Sequence, residues 1–458
     1  MMTTYSTLNP ATEAVLETYA FETAAALMPR LHQMHQVWQT EWSLRAVSER
    51  LEPLRALATV LRSAKEELAL LITTEMGKPI SQSYAEIEKC AWLCEYYAEH
   101  AEAMLQDKPV NTGATRSLVS YQPLGILLAI MPWNFPLWQV FRALVPAMAV
   151  GNGLVLKHAP NTTACALALK PLLAKAGFPD GVFDVFLADN PTIATLIAQP
   201  EIAAVTLTGS TRAGKEVART AGMHLKKGVY ELGGSDPYLV LEDADVALAV
   251  EKCVSSRMLN TGQSCIAAKR FIVHHSVYDE FAAGMVEKMS TYQMGDPLDE
   301  ATHLGPLARQ DLRDALHRQV QISLERGAVC LCGGEVPDRS GWYYPATMLS
   351  EVKPGMPAFD EELFGPVAAL IRVGSEQEAI ALANQSPYGL GAAVFSRDSD
   401  RAYAIARTRL QAGSVFVNDF VRSDPRLPFG GLKDSGYGRE LASEGLLEFV
   451  NIKTIYEP

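Results

Sequence analysis

The sequence lacks a cysteine framework, an excess of positive charge and an unbroken apolar run of membrane length. Its seven cysteines are odd in number and mostly scattered, at Cys90, Cys94, Cys165, Cys253, Cys265, Cys330 and Cys332. Small secreted domains held by disulfides carry even, compactly spaced sets, so that class is excluded and a reducing cytoplasm is expected. The formal net charge is −12. An acidic surface repels a phosphate backbone, so no nucleic-acid partner is expected. Residues 117–141 carry no charge, but Pro123, Gly125, Pro132, Asn134 and Pro136 interrupt them. In lipid those breaks would leave backbone groups unpaired. A buried soluble segment is expected there, with no membrane partner. The first thirty residues hold one basic residue, Arg30, and no apolar block flanked by positive charge, so no secretory signal is expected.

Hydrophobic residues make up 48% and charged residues 20%, which excludes global disorder. A chain of 458 residues suggests two or three domains. After Pro53, apolar residues recur at three- and four-residue spacing through Leu54, Leu57, Val60 and Leu61, then Leu68, Leu70 and Leu71, which predicts helix. Around residues 117–120 the pattern alternates, as in a hairpin or edge strand. From Gly125 the chain alternates between short apolar runs (126–131, 154–156, 182–187, 204–207) and helical stretches (137–149, 162–176, 192–198, 212–221). That is the pattern of a mostly parallel sheet with crossover helices, which binds ligands beyond the carboxyl ends of its strands. Past Gly233 the alternation resumes, with strands expected at 238–241, 271–273, 368–371, 392–395 and 414–417 and a helix at 245–259. A second α/β domain follows, with a boundary and a cleft near residues 231–235.

Two nucleotide motifs are incomplete. Gly209-Ser-Thr-Arg-Ala-Gly214-Lys215-Glu216 almost spells a P-loop, but an acid stands where Ser or Thr would hold magnesium. An ATPase is not expected. Gly209 still follows a strand and opens a helix, so its amides suit either some phosphate or an ordinary turn. No G-x-G-x-x-G occurs between a strand and a helix. Cys265 lies in a polar loop, Asn260-Thr-Gly-Gln-Ser-Cys265, where a thiol is either a reachable nucleophile or a packed side chain. Cys330 and Cys332 lack further ligands nearby, so packing is favoured over metal. Glu231 beside Gly233 and Gly234 suits a general base or a surface acid. Asn134, held between Pro132 and Pro136, suits an oxyanion donor or a helix cap.

Taken together, Pro132-Trp-Asn-Phe-Pro136, Glu231-Leu-Gly-Gly234, Gly262-Gln-Ser-Cys265, Glu361-Glu-Leu-Phe-Gly-Pro366 and Pro428-Phe-Gly-Gly431 occur in this order. In that order they resemble the aldehyde dehydrogenase superfamily, nearly end to end from Asn9-Pro-Ala-Thr12. The resemblance implies an α/β fold with two Rossmann-like parallel-sheet domains and a small β oligomerisation element. It places a cofactor-binding domain at 1–112 and 131–233, a catalytic domain at 234–428, and the oligomerisation element at 113–130 and 436–458. A homodimer or homotetramer is implied, without a choice between them.

The resemblance also implies a chemistry. Cys265 attacks an aldehyde, Asn134 and the Cys265 amide hold the oxyanion, hydride passes to a nicotinamide, and Glu231 activates water against the thioester. Lys157 would bond the adenine ribose, Gly209 and Ser210 the pyrophosphate, and Glu362 the nicotinamide ribose, with Trp133, Leu232 and Phe364 beside them. NAD-selective relatives often carry an acid three positions after that lysine. Here the position is Pro160, and Lys157-His158 offers positive or donor groups, so NADP is expected as the preferred cofactor, with NAD as the alternative. No metal is expected. Asn134, Trp138 and Arg142 are spaced four apart and would share a helix face. Arg142 suits either a substrate carboxylate or a structural ion pair, and Ser423 is a second candidate contact. These stretches resemble the succinate-semialdehyde branch, so an aldehyde with a terminal carboxylate is the expected substrate. Glutarate semialdehyde or neutral medium-chain and aromatic aldehydes are the alternative.

Overall fold

A computed structural model describes residues 3–458. Its first large sheet has six strands, in the order Gly436–Tyr437, Lys227–Glu231, Ile202–Thr208, Ile126–Met131, Gly153–His158 and Phe183–Val185. All neighbours pair in parallel except Gly436–Tyr437. Ile126–Met131 reads as a continuous apolar run because helices cover both faces of the sheet. The chain leaves this strand toward Gly153–His158 on one side, then returns to add Ile202–Thr208 on the other. That reversal opens a crevice beyond the carboxyl ends of the two strands. The loop 132–137 and Gly209 stand at its two lips.

The second sheet has seven strands, in the order Val329–Cys332, Thr347–Ser350, Val367–Val373, Arg270–His274, Pro237–Val240, Gly391–Phe395 and Ser414–Val417. Only Val329–Cys332 is antiparallel to its neighbour. A third, antiparallel sheet joins Val450–Glu457, Arg116–Pro123 and Lys108–Pro109. Helices Val47–Ser63 and Ile80–Met104 pack against Trp138–Val150, a helix buried on every side, and Lys65–Met76 packs on Ile80–Met104.

Several sequence expectations need correction. Of the two alternatives at 117–120 the hairpin holds and the edge does not: Arg116–Pro123 pairs back on Lys108–Pro109 and is the middle strand of its sheet. Ile126–Met131 is central to the six-stranded sheet, so a boundary at 130/131 would cut that strand. Gly436–Tyr437 likewise lies on that sheet's edge. The helix expected over 162–176 is two, Thr163–Leu167 and Leu169–Lys175. Pro171 has no N–H to give the carbonyl of Leu167, so the first helix ends there. Asn134 does not share a helix with Trp138 and Arg142. Pro136 keeps Phe135 out of helical backbone, and the helix begins only at Trp138.

Candidate active site

Two cavities meet at Cys265. The larger, of about 490 Å³, opens from the crevice and is lined by Trp133, Asn134, Thr208, Gly209, Ser210, Leu232, Glu362 and Phe364. The smaller, of about 170 Å³, is lined by Lys89, Phe135, Trp138, Arg142, Ile266, Ser423 and Phe429. Cys265 lies on both walls. A half-buried thiol there can face one molecule in each cavity.

The loop that presents Cys265 runs from helix Val246–Met258 to strand Arg270–His274. Asn260 and Thr261 both take left-handed backbone, at φ 55° and 53°. Such residues cost roughly 1–3 kcal/mol each and need outside support. Asn260 Nδ2 donates to the carbonyls of Asn134 at 2.7 Å and Gln263 at 3.1 Å. Gln263 Oε1 accepts from Ala308 N–H at 2.9 Å. Lys269 Nζ, fully buried, donates to the carbonyls of Ser264, Cys265 and Ala267 at 3.0, 2.7 and 3.2 Å. Gly262 has φ 73°, and a Cβ there would come 2.2 Å from the Gly365 carbonyl oxygen. Only glycine fits. Asn134 Nδ2 donates to Gln263 O at 3.1 Å, which leaves its second N–H for a ligand.

Three polar atoms in the larger cavity are buried without a partner among the described residues, Asn134 Oδ1, Gln139 Oε1 and Thr208 Oγ1. Ser210 caps helix Thr211–Met223, accepting from Ala213 N–H at 3.3 Å. The helix start is thus open to an anion. Trp133 and Phe364 meet edge to face, 5.7 Å between ring centres. Glu362 accepts from Gly234 N–H at 2.9 Å and lies 3.7 Å from Lys269 Nζ. A partly aromatic cavity with unpaired acceptors, beside a helix start that keeps N–H groups beyond the one Ser210 caps, fits a dinucleotide. Lys215, from the incomplete P-loop, turns away to Asp434 at 3.0 Å.

Behind Cys265 lies a buried charge cluster. Arg142 Nε is 2.7 Å from Glu440 Oε2, with both side chains almost fully buried. The N–H is not aimed along that line, so the contact is Coulombic, and Arg142 Nη2 has no partner among the described residues. Glu231 ends strand Lys227–Glu231, and neither carboxyl oxygen has a hydrogen bond among the described residues. Burial first, then the nearby Glu440, push its pKa well above the usual carboxylate range, against the pull of Arg142 and Arg439. Burial also pushes the Cys265 thiol up to about 12, although Arg142 and Lys269 pull it down. Both shifts disfavour the charged form of the group.

A family model described as the aldehyde dehydrogenase family matches residues 2–455. The succinate semialdehyde dehydrogenase NAD(P)+ of Escherichia coli (strain K12) is 47% identical over 450 residues, covering 98% of this chain and 97% of that one. The chain belongs to the aldehyde dehydrogenase family. The NADP(+) succinate-semialdehyde dehydrogenase of Mycobacterium tuberculosis (strain ATCC 25618 / H37Rv) is 42% identical over 454 residues, 98% of this chain and 99% of that one. The crystal structure of succinic semialdehyde dehydrogenase from Streptococcus pyogenes with NADP+ is 36% identical, with a TM-score of 0.96, and the match covers 99% of this chain and 100% of that one.

In this aldehyde dehydrogenase, six of the nine cofactor candidates line the larger cavity: Trp133, Gly209, Ser210, Leu232, Glu362 and Phe364. Lys157, His158 and Pro160 do not; they lie on and just past the neighbouring strand Gly153–His158. His158 was expected to offer a positive or donor group, but its ring is used internally. Nε2 donates to Pro136 O at 2.9 Å, and Nδ1 takes the Thr162 hydroxyl at 2.9 Å. Burial lowers its pKa to about 4, so the ring is neutral. It fastens the 132–137 loop to the sheet. Lys157 has no hydrogen bond or ion pair among the described residues, and burial lowers its pKa.

Sequence reasoning missed three groups of this dehydrogenase. Glu440 follows Gly438-Arg at some distance from any motif used above; its position in space beside Arg142 is its only signal. Glu86 accepts from Leu137 N–H at 2.8 Å and Trp138 N–H at 2.9 Å, capping the helix that carries Arg142, while its other oxygen holds Lys78. Lys89, three residues on, stands in the smaller cavity.

Proposed function

We propose that the chain oxidises succinate semialdehyde to succinate, with NADP as electron acceptor and water as acyl acceptor. One observation carries the reading: Cys265 stands where a larger, more polar cavity meets a small, largely apolar one whose wall bears Lys89 and Arg142. An aldehyde that is short and acidic at its far end suits that second cavity. The names of the E. coli and M. tuberculosis relatives agree with it.

A nicotinamide dinucleotide in the larger cavity would supply the hydride acceptor. Gly209 and Ser210 would hold its pyrophosphate at the helix start, Glu362 its ribose, and Trp133, Leu232 and Phe364 would flank the ring. Lys157 has an uncommitted ammonium, and Pro160 puts no acid beside it, so a 2′-phosphate is favoured over a bare hydroxyl. The Cys265 thiol gives its proton to water, and the thiolate adds to the carbonyl carbon as the C=O π electrons move onto oxygen, forming a thiohemiacetal. Asn134 Nδ2 and the Cys265 N–H stabilise the developing oxyanion. After oxidation to the thioester, Glu231 takes a proton from water as the water oxygen adds to the acyl carbon. The C–S bond then breaks, releasing the acid and Cys265. A base of raised pKa suits that step once it has ionised. Trp138, Arg142 and Ser423 would shape the acid end of the pocket.

The exposed side chains of Ile452, Ile455 and Tyr456 on strand Val450–Glu457 support a homodimer or homotetramer. The seven free cysteines support a cytoplasmic location. Among the described residues no helix is long and apolar enough to cross a membrane.

The deciding assay follows reduced cofactor at saturating NADP with succinic semialdehyde and with butanal, of equal length but without the acid. A preference of about a hundredfold, or about 2.7 kcal/mol at the transition state, is expected. Similar rates would replace this substrate with the wider range of neutral aldehydes. Cys265→Ala should abolish turnover and keep NADP binding.

A further inference from the structure

Three cations line the smaller cavity, and their neighbours differ. Arg142 faces Glu440 at 2.7 Å, and Arg422 is paired with Asp419 at 2.6 Å. Lys89 has no carboxylate within 4.0 Å among the described residues. Its ammonium touches neutral groups: Ser423 Oγ accepts from it at 2.8 Å, and the Trp138 ring centre lies 4.4 Å away. The acids of the surrounding elements are already engaged. Glu86, on the same helix, binds Lys78 and two backbone N–H groups. Asp424, beside Ser423, holds Arg426 at 2.7 Å. Lys89 therefore carries a half-buried charge with two of its three donors uncommitted.

We infer that Lys89 reads the substrate's terminal carboxylate, taking it directly on the ammonium while Ser423, whose oxygen accepts from the Trp138 indole N–H at 3.2 Å, donates its hydroxyl proton to it. This rests on the reading that the substrate bears an acid. Arg142 is a poorer reader of that acid, because Glu440 already offsets its charge. Its field instead falls on Cys265, where it is the strongest influence drawing the thiol pKa down.

The assignment has a pH signature. In the empty cavity burial lowers the Lys89 pKa to about 8, and the charge of Arg142 adds to the fall; Cys90, Asp424 and Glu86 act the other way. An arriving carboxylate selects the protonated form. The quantity to measure is the ratio of kcat/KM for succinic semialdehyde to that for butanal, with the full chain at saturating NADP. Groups that serve both substrates, such as Cys265 and Glu231, cancel in this ratio. The ratio should be flat below about pH 7.5 and fall roughly thirtyfold by pH 9.5 as Lys89 loses its proton. Lys89→Met should cut the ratio about 10- to 100-fold at pH 7, through KM for the acid. Lys89→Arg, charged throughout, should keep much of the ratio and remove its alkaline fall. A wild-type ratio near one at pH 7 overturns the substrate reading itself. A high wild-type ratio that stays flat to pH 9.5, or survives in Lys89→Met, overturns the role of Lys89 and leaves the substrate reading standing. Should Lys89→Met fail to fold, the wild-type pH profile decides alone.

Discussion

The buried pair of Arg142 and Glu440 predicts an asymmetry between two substitutions that each remove one partner. Glu440→Gln leaves a guanidinium with almost no solvent and no counter-ion. It cannot shed its proton in the working range, so a loss of about 3–5 kcal/mol is expected, nearly independent of pH. Arg142→Met leaves a carboxylate instead, and a carboxylate can take up a proton. Burial already raises the Glu440 pKa, and Arg142 is what pulls it down. Without Arg142 the folded form keeps Glu440 neutral, and the cost is that of protonating an ordinary carboxyl. That is about 1.4 kcal/mol for each pH unit above ~4.3, or about 1.6 kcal/mol at pH 5.5. The sign follows: a raised carboxyl pKa favours the folded state at low pH, and that advantage is lost as pH rises through the folded value. Arg142→Met should therefore gain stability relative to wild type between pH 7.5 and pH 5.5, by at most about 2.7 kcal/mol because the Glu440 pKa is already raised in wild type, while Glu440→Gln stays level. If Glu231 ionised to answer Arg142 in Glu440→Gln, stability would rise with pH, the opposite trend. Urea midpoints of both variants and wild type at the two pH values measure this. Parallel pH trends for the two variants would refute the reasoning.

Other outcomes follow from the same geometry. With the Cys265 pKa near 12, its thiolate fraction at pH 8 is about 10⁻⁴, against about 0.2 for a free thiol, so iodoacetamide should label it about a thousandfold more slowly than a free thiol. A labelling rate that levels off near pH 8.5 would contradict that burial effect. Glu231→Gln should give a burst of about one equivalent of reduced cofactor per site and then stall at the thioester; steady turnover at the wild-type rate would remove Glu231 from hydrolysis. Since the Glu231 pKa is raised, wild-type kcat should climb with pH across the neutral range wherever hydrolysis limits it. Gly262→Ala adds a Cβ against the Gly365 carbonyl at positive φ, and should cost about 2 kcal/mol or more with loss of activity; thermal melting and turnover test it together.

Much of the architecture was readable in the residues, for a local reason. Strands covered on both faces leave continuous apolar runs, so Ile126–Met131 stands at its expected bounds. Loops that need Pro or Gly at fixed points, around Asn134, Gly262 and Phe429, write themselves as motifs, and five such motifs in order identified the family. The sheet pattern, the family and the candidates Cys265, Glu231 and Asn134 were thus legible in the residues alone. Tertiary structure alone decided the charges. Whether Arg142 is paired depends on Glu440, brought close by a return of the chain that no periodicity encodes. Whether His158 carries a proton depends on Pro136 and Thr162 closing around its ring. Lys89 reads as one more polar residue on an amphipathic helix until Ser423 and Trp138 are folded against it. Charge and proton affinity are set by burial and neighbours, and those are properties of the packed molecule rather than of the chain.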